Sequence, residues 1–228
     1  IPTAMNVEGI SLSYTWANSN QENIANAPQL WRVLRRVIEE SRTVDEAITI
    51  LEKGPRFSAA NILITNGKRS KAVVVEMTSK KMIVRQAADG IIYAANHFLT
   101  SEMVEPIKDA NSFTRYKRIG ELLRNNFGTI DEKKSVSFLR DHYDARVGRD
   151  DLSGDVIAWN INVQSEVFSP TDLTFWVAKG SAPAAYGEYV GFNLKDELAG
   201  QQSTTQLLNI PADPVTQTSA YTAFQTFQ

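Results

Sequence analysis

The chain has 228 residues, of which 43% are hydrophobic and 22% are charged, and its formal net charge is −2. This composition is ordinary for a globular protein and excludes a largely disordered chain. The sequence lacks a basic cluster large enough for a nucleic-acid-binding surface, and its lack of cysteine excludes disulfides, thiolate metal sites and a cysteine nucleophile within these residues.

The first part of the sequence predicts a strand followed by two helices. Residues 9–16 alternate apolar and small polar side chains, which is the pattern of a half-buried strand. Pro28 is typical of the first turn of a helix, and the residues after it carry one apolar face. Thr43 and Glu46 form a capping-box pattern before a second helix, which Gly54 ends.

The next part of the sequence changes to the two-residue period of strands. Turn-forming pairs such as Asn66-Gly67 and Asp89-Gly90 separate short apolar stretches. The pattern therefore predicts an antiparallel meander of four strands, at residues 61–65, 71–76, 82–85 and 91–95.

Two helices are predicted after the meander. The first covers about residues 112–126, and a second capping-box pattern at Thr129 and Glu132 begins a short helix that extends to His142. Residues 143–154 are charged and predict a loop.

The last part of the chain predicts more strands. Residues 156–163 and 173–178 have the composition of a buried hairpin, and residues 189–192 predict one further strand. Because helices and antiparallel strands form separate blocks, their order predicts an α+β domain with two sheets packed face to face and helices outside. No linker is visible, so residues 1–228 are expected to form a single domain.

Standard catalytic and metal-binding motifs are absent from the sequence. Its two histidines, His97 and His142, give few candidates for a histidine-based triad, and a lone histidine is more often structural. Asn96 follows a predicted strand, and the N–H of a neutral amide can stabilise an oxyanion without titrating. Taken alone, a turn-forming Asn is the simpler explanation of this position.

Short motifs along most of the chain occur in the order found in one known family. Residues 4–12 (AMNVEGISL) look like its "GMNexGlav" strand, residues 90–97 (GIIYAANH) resemble its strand that ends in TNH, and residues 112–118 (SFTRYKR) resemble its S-x-x-R-x-x-R helix start. The chain therefore resembles the acyl-CoA:6-aminopenicillanic acid acyltransferase-like family (peptidase family C45), which is related to the choloylglycine hydrolases. Further similar segments are the helix pair that ends at Gly54, residues 58–64, residues 73–77 and the hairpin of residues 156–179.

The resemblance implies the four-layer αββα sandwich of the N-terminal-nucleophile (Ntn) hydrolases, here lacking its N-terminal part. It also implies autocatalytic cleavage that exposes an N-terminal cysteine, whose thiol forms an acyl-enzyme with a linear amide or thioester. Because this chain has no cysteine and Ile1 begins after the family's nucleophile position, we expect an upstream segment or a second chain to carry the nucleophile.

The resemblance assigns Asn96 to the oxyanion hole. It also leads us to expect an arginine in the loop before the terminal hairpin, where Arg146 is preferred to Arg149. An apolar pocket with few polar anchors is expected to receive the substrate, and no metal or cofactor is expected. The candidates to line this pocket are Tyr14, Trp16 and Phe98.

Three hypotheses follow. The leading hypothesis is an amidase or acyltransferase with a small-molecule amide or acyl substrate. The alternative is a catalytically inactive relative that binds an acyl or amide ligand, because residues 13–15 are Ser, Tyr and Thr where relatives often place an Asn. The third is an unrelated α+β module. No nucleic-acid partner or membrane span is expected, and homo-oligomerisation is left open.

Overall fold

The computed structural model describes residues 3–17, 19, 30–56, 59–103, 110–201 and 209–226. The chain divides into two compact units. The first unit comprises Ile1–Phe113 and Pro170–Leu173, and the second comprises Thr114–Ser169 and Thr174–Gln228. Each unit contains its own antiparallel sheet. The prediction of a single domain stays a prediction.

The first unit is built on a five-stranded antiparallel sheet with the strand order β1-β2-β3-β4-β5. Four of these strands confirm the predictions at residues 9–16, 61–65, 71–76 and 82–85, and the short first strand was not predicted. The strands are β1 (Thr3–Met5), β2 (Ile10–Trp16), β3 (Ala60–Asn66), β4 (Lys71–Met77) and β5 (Met82–Gln86).

Two helices, α1 (Leu30–Glu40) and α2 (Val44–Lys53), cover one face of this sheet. The predicted cap of α2 is confirmed, because the Thr43 hydroxyl accepts a hydrogen bond from the Glu46 N–H at 3.1 Å. Pro28, the predicted opening of the first helix, lies outside the described residues.

The core of the first unit lies between these helices and the sheet. Since successive side chains of a strand point to opposite faces, Leu12 of β2 and Ile62 of β3 reach the same apolar layer. Leu34 and Val37 of α1 pack into that layer from the other side. Each such fully buried side chain contributes about 1.5–3 kcal/mol to folding, so the apolar face of the sheet explains why these elements stay together.

The predicted fourth strand of the meander is wrong. Residues 91–95 make only an isolated backbone bridge at their start and do not pair with β5 as a ladder. Side chains satisfy their carbonyl groups instead: Arg85 Nη2 donates to the Tyr93 carbonyl at 2.8 Å. Likewise, Asn61 Nδ2 donates to the Ala95 carbonyl at 2.8 Å. The segment is therefore held against the sheet by side chains of other strands.

The second unit contains a three-stranded antiparallel sheet, a two-stranded ribbon and several helices. The first turn of α3 belongs to the first unit. The three-stranded sheet has the order β10-β9-β8. The elements are α3 (Ala110–Asn125), α4 (Glu132–Leu139), β6 (Tyr143–Asp144), β7 (Arg149–Asp150), β8 (Glu166–Ser169), β9 (Thr174–Lys179), β10 (Glu188–Asn193), α5 (Leu194–Leu198) and α6 (Ser219–Thr226).

The first strand of the predicted terminal hairpin is wrong, whereas its second strand is confirmed as β9. Residues 156–163 form turns, and β8 is the strand that pairs with β9. Asn162 Nδ2 donates to the Ile157 carbonyl at 3.0 Å, which closes a local turn. An Asn side chain that bonds nearby backbone in this way competes with strand pairing. The predicted strand at residues 189–192 is confirmed as β10.

Two smaller predictions in this unit also change. The N-cap of α4 is Asp131 and not Thr129, since the Asp131 carboxylate accepts from the Lys134 N–H at 2.7 Å. The helix ends at Leu139 and does not extend to His142. The predicted loop of residues 143–154 contains the short strands β6 and β7.

Among the helices that the structure describes, none is long and apolar enough to cross a bilayer.

Candidate active site

Asn96 lies in an irregular segment, residues 95–100, which we call the Asn96 loop. The Asn96 side chain is half-buried. Its amide nitrogen Nδ2 donates to the Trp16 carbonyl at 2.6 Å. Its backbone N–H donates to the Ser112 hydroxyl at 2.7 Å. Both the side chain and the backbone of Asn96 are therefore fixed by the first unit.

A row of three polar side chains supports the Asn96 loop from the sheet. Asn61 of β3 lies in register with Thr15 of β2 on one side and with Glu76 of β4 on the other. These residues alternate with the core positions of their strands, so they lie on the face opposite to α1 and α2. We call Thr15, Asn61 and Glu76 the polar row.

The centre of the polar row binds the loop on both sides of Asn96. Asn61 Nδ2 donates to the Ala95 carbonyl at 2.8 Å and to the His97 carbonyl at 2.9 Å. The Thr15 hydroxyl donates to the same Ala95 carbonyl at 3.0 Å. These three hydrogen bonds fix the backbone that carries the Asn96 side chain.

Glu76 holds the far end of the loop. Its fully buried carboxylate accepts from the N–H groups of Leu99 and Thr100, each at 3.0 Å. Arg85 Nε donates to the same carboxylate at 3.1 Å. A buried charge is costly unless it is paired and hydrogen-bonded, and these partners meet that requirement. The Glu76 carboxylate therefore anchors the end of the loop, and the Arg85 guanidinium balances its charge.

His97 belongs to the scaffold around Asn96. Its side chain is buried, and Nδ1 lies 2.6 Å from the Ser112 hydroxyl. Its ring stacks on Phe113 with a centroid distance of 3.9 Å. The Ser112 hydroxyl thus connects the His97 ring to the Asn96 backbone N–H.

The three predicted pocket residues have different surroundings. Trp16 is 52% exposed, and its carbonyl is the one that binds Asn96. Tyr14 packs against the helix-covered core and makes an edge-to-face contact with Trp31 at 4.9 Å, and burial raises the pKa of its hydroxyl. Phe98 is buried in a small cluster with Met103. The structure thus brings Trp16 to Asn96 and gives Tyr14 and Phe98 packing contacts, while their substrate-binding roles stay predictions.

Arg146 lies in the second unit, in the ribbon between β6 and β7. Its guanidinium pairs with Asp155, and its backbone N–H donates to the buried Asp144 carboxylate at 2.8 Å. The Asp144 carboxylate also accepts from the Asp155 N–H at 3.1 Å. These contacts order the loop around Arg146, and the proposed catalytic role of this residue stays a prediction.

The second unit also contains a polar cavity of about 360 Å³, which the sequence did not predict. The two arginines of its lining make hydrogen bonds that stabilise the fold. Arg118 makes a two-pronged ion pair with Asp141, at 2.7 Å for the shortest contact, and this hydrogen bond raises the pKa of Arg118. Arg140 donates to the carbonyl groups of Ala185, Gly187 and Pro211.

The polar row is the part of the site that sequence patterns missed. Asn61 and Glu76 are buried polar residues of largely apolar strands, and a polar residue within such an apolar stretch is the signal that could have identified them. Within the described part of the chain, no three His, Asp or Glu side chains lie close enough together to hold a metal ion.

Comparisons with known proteins agree with the fold. A family model described as "Acyl-coenzyme A:6-aminopenicillanic acid acyl-transferase" matches residues 2–182. Among solved structures, the chain is similar to a mutant conjugated bile acid hydrolase from Clostridium perfringens, with a TM-score of 0.51 and 12% sequence identity over 89% of this chain and 75% of that chain. No curated protein sequence matches the chain significantly. The structural likeness confirms the predicted α+β fold, which is similar to the Ntn fold of the choloylglycine hydrolases.

Proposed function

Because the chain belongs to the acyl-coenzyme A:6-aminopenicillanic acid acyl-transferase family, we propose that it works as part of an Ntn-type amidase or acyltransferase. The enzyme cleaves or transfers an acyl group at a linear amide or thioester. The observation that carries this proposal is the Asn96 loop, in which the polar row holds the backbone on both sides of Asn96 and the Trp16 carbonyl binds its amide nitrogen. Such preorganised donors are what acyl-transfer chemistry requires.

In the proposed reaction, the sulfur of an N-terminal cysteine outside these 228 residues attacks the acyl carbonyl carbon. The carbonyl oxygen becomes an oxyanion, to which the Asn96 amide donates a hydrogen bond. The bond to the leaving nitrogen or sulfur then breaks. The leaving group takes the proton that the cysteine's own α-amino group removed from the thiol. Water or an amine subsequently accepts the acyl group from the sulfur.

The other proposed site residues have supporting roles. Trp16 is the best-supported contact for the acyl group, because its exposed indole belongs to the residue whose carbonyl binds Asn96. Arg146 keeps its proposed catalytic role as the arginine expected in the loop before the terminal hairpin. Turnover of Trp16→Ala and Arg146→Ala variants tests both roles, and unchanged turnover would remove the residue concerned from the site.

The alternative is an inactive relative that uses the same site to bind an acyl or amide ligand. One observation favours it: the Thr15 hydroxyl, a candidate replacement for the Asn found there in relatives, donates to the Ala95 carbonyl. A hydroxyl has a single hydrogen, so Thr15 cannot at the same time donate to an oxyanion. Asn96 would then have to act without this neighbour.

Intact mass and N-terminal sequencing of the natively expressed, full-length protein distinguish the two functions. The enzyme proposal expects a product or associated peptide that begins with cysteine, together with turnover of a linear amide or thioester. A single unprocessed species that has no such junction and turns over neither compound class would refute it in favour of ligand binding.

A further inference from the structure

The polar row crosses three strands at one level of the sheet. Thr15, Asn61 and Glu76 are direct neighbours across β2, β3 and β4. Next to them on this face, Ser13 and Leu63 are small or apolar, and Arg85 of β5 is the charged partner of Glu76. Together the three side chains contact the Asn96 loop from the Ala95 carbonyl to the Thr100 N–H.

Asn61 is suited to its place by the two hydrogens on its amide nitrogen. These hydrogens reach the carbonyl groups of Ala95 and His97, the two residues that flank Asn96. The reverse amide orientation would point an oxygen at two carbonyl oxygens, so the contacts fix which end faces the loop. Among the residues that the structure describes, Asn61 Oδ1 has no hydrogen-bond partner. The Asn61 side chain therefore acts through its donors.

We propose that Asn61 is a positioning residue, and that the polar row around it sets the direction of the Asn96 amide. Asn61 fixes the peptide groups on both sides of Asn96, Thr15 shares the first of these contacts, and Glu76 anchors the end of the loop. The inference rests on the proposed function, in which Asn96 is the oxyanion donor. It adds that side chains of the sheet set the orientation of the Asn96 amide.

The chain offers a matched control in Asn66. Asn61 and Asn66 are both 1% exposed and lie on the same strand, β3. Asn66 also uses its side chain to hold backbone, since it donates to the Arg42 carbonyl and accepts from the Arg69 N–H, both at 3.0 Å. It lies five residues, or about 16 Å, along the strand from Asn61 and faces away from the Asn96 loop.

The test compares Asn61→Asp and Asn66→Asp in the full-length protein, with turnover of the amide or thioester found for the wild type. The Asn61 change keeps the shape of the side chain and removes both donations. We expect kcat to fall about 10–100-fold with little change in KM, because misplacing a catalytic group by about 1 Å has costs of this size. The Asn66 variant should keep its kcat within about twofold of wild type, even if it loses similar stability. Equal loss of kcat in both variants would overturn the positioning role.

Asn96→Ala separates this inference from the proposed function. If Asn96→Ala lowers kcat and Asn61→Asp does not, the positioning role fails and the oxyanion role stands. If both lower kcat, adding the Asn61 change to the Asn96 variant should cost nothing further. A full additional loss there would mean that Asn61 acts independently of Asn96, which would also overturn the inference.

Hydrogen exchange gives a readout that needs no turnover. In Asn61→Asp, and more weakly in Thr15→Val, the backbone amides of residues 95–100 should exchange faster than in wild type. In Asn66→Asp their rates should be unchanged. Unchanged exchange of the Asn96 loop in the Asn61 variant would refute the positioning role of Asn61, whatever the role of Asn96 proves to be.

Discussion

Glu76 illustrates how one buried charge can order a loop. Its carboxylate is inaccessible to solvent and faces the guanidinium of Arg85, which is 22% exposed. It also accepts the N–H groups of Leu99 and Thr100. Removing one partner of a buried ion pair costs far more than removing an exposed one, because the remaining charge stays away from water.

Replacing Glu76 by Gln should therefore destabilise the protein strongly. The variant keeps the size of the side chain, but it leaves Arg85 without its counter-charge and turns an NH2 group towards an N–H donor. We expect a loss of about 3 kcal/mol in the free energy of unfolding, at the lower end for a broken buried pair because Arg85 retains some access to water. Denaturant-induced unfolding measures this loss.

Glu39→Gln is the control for this prediction. Glu39 pairs with Arg35 one turn away on α1, and both side chains are more than half exposed. Exposed pairs of this kind contribute less than about 1 kcal/mol. Comparable losses in the Glu39 and Glu76 variants would contradict the assignment of Glu76 as the buried anchor of the loop.

Two glutamates of the second unit should change stability with pH in opposite directions. Burial raises the pKa of Glu166 above its ordinary value of 4.5. A raised folded-state pKa contributes stability below about pH 4.5, and this stability is lost as the pH rises through the folded value. Glu166→Gln should therefore be more stable than wild type at pH 7, and its advantage should shrink as the pH falls through the raised pKa and be gone below about pH 4.5.

Glu188, in the same sheet, has a pKa shift of the opposite sign. Its hydrogen bond to the Lys179 ammonium lowers the pKa of its carboxyl below 4.5. Its contribution is present above about pH 4.5 and is lost in acid, so Glu188→Gln should be the less stable variant at pH 7. Thermal unfolding between pH 3 and pH 7 checks both signs. A stabilising Glu188→Gln or a destabilising Glu166→Gln at pH 7 would contradict them.

At the level of elements, the start of α4 shows how two similar capping patterns compete. Thr129 and Asp131 are both suitable N-cap residues just before α4, but Thr129 forms part of the turn that ends α3. Its N–H donates to the Asn126 carbonyl at 3.0 Å, and Gly128 before it has a φ of +82°, which favours glycine. Asp131 is therefore the N-cap of α4.

Asp131→Ala should cost about 1 kcal/mol in the free energy of unfolding, because it removes the acceptor of the Lys134 N–H. Thr129→Ala should cost less than about 0.5 kcal/mol, since its exposed hydroxyl donates only to a neighbouring turn. Chemical denaturation of the two variants decides between the caps. The larger loss in Thr129→Ala would mean that the cap predicted from the sequence is the correct one.

Local sequence patterns correctly predicted the elements whose backbone hydrogen bonds form regular strand ladders or helix caps. The strands β2 to β5, the cap of α2 and the strands β9 and β10 follow from periodicity and turn residues. Residues 91–95 and 156–163 have strand-like composition but form no ladder. Their hydrogen-bond partners include Asn61 and Asp141, which are distant in sequence. Pattern reading along one segment cannot reveal a partner that another segment supplies.

At the scale of the whole molecule, the order of weak motifs predicted the family and the fold, and both are confirmed. The proposed oxyanion role of Asn96 came from this resemblance. The polar row could not be predicted in the same way, because it depends on the register of three strands. Asn61 and Glu76 become neighbours only when β3 and β4 pair, so their shared contacts with the Asn96 loop became visible only in the structure.

Single-turnover acylation of the full-length protein tests most directly whether Asn96 stabilises the oxyanion of an acyl transfer. Wild type and Asn96→Ala are mixed with an activated thioester, and the mass of the cysteine-bearing peptide is followed with time. We predict the same acylated cysteine in both, formed about 10²–10³-fold more slowly in the variant. Equal rates in a folded variant would contradict the role of Asn96, and no acylation of the wild type would contradict the enzyme itself.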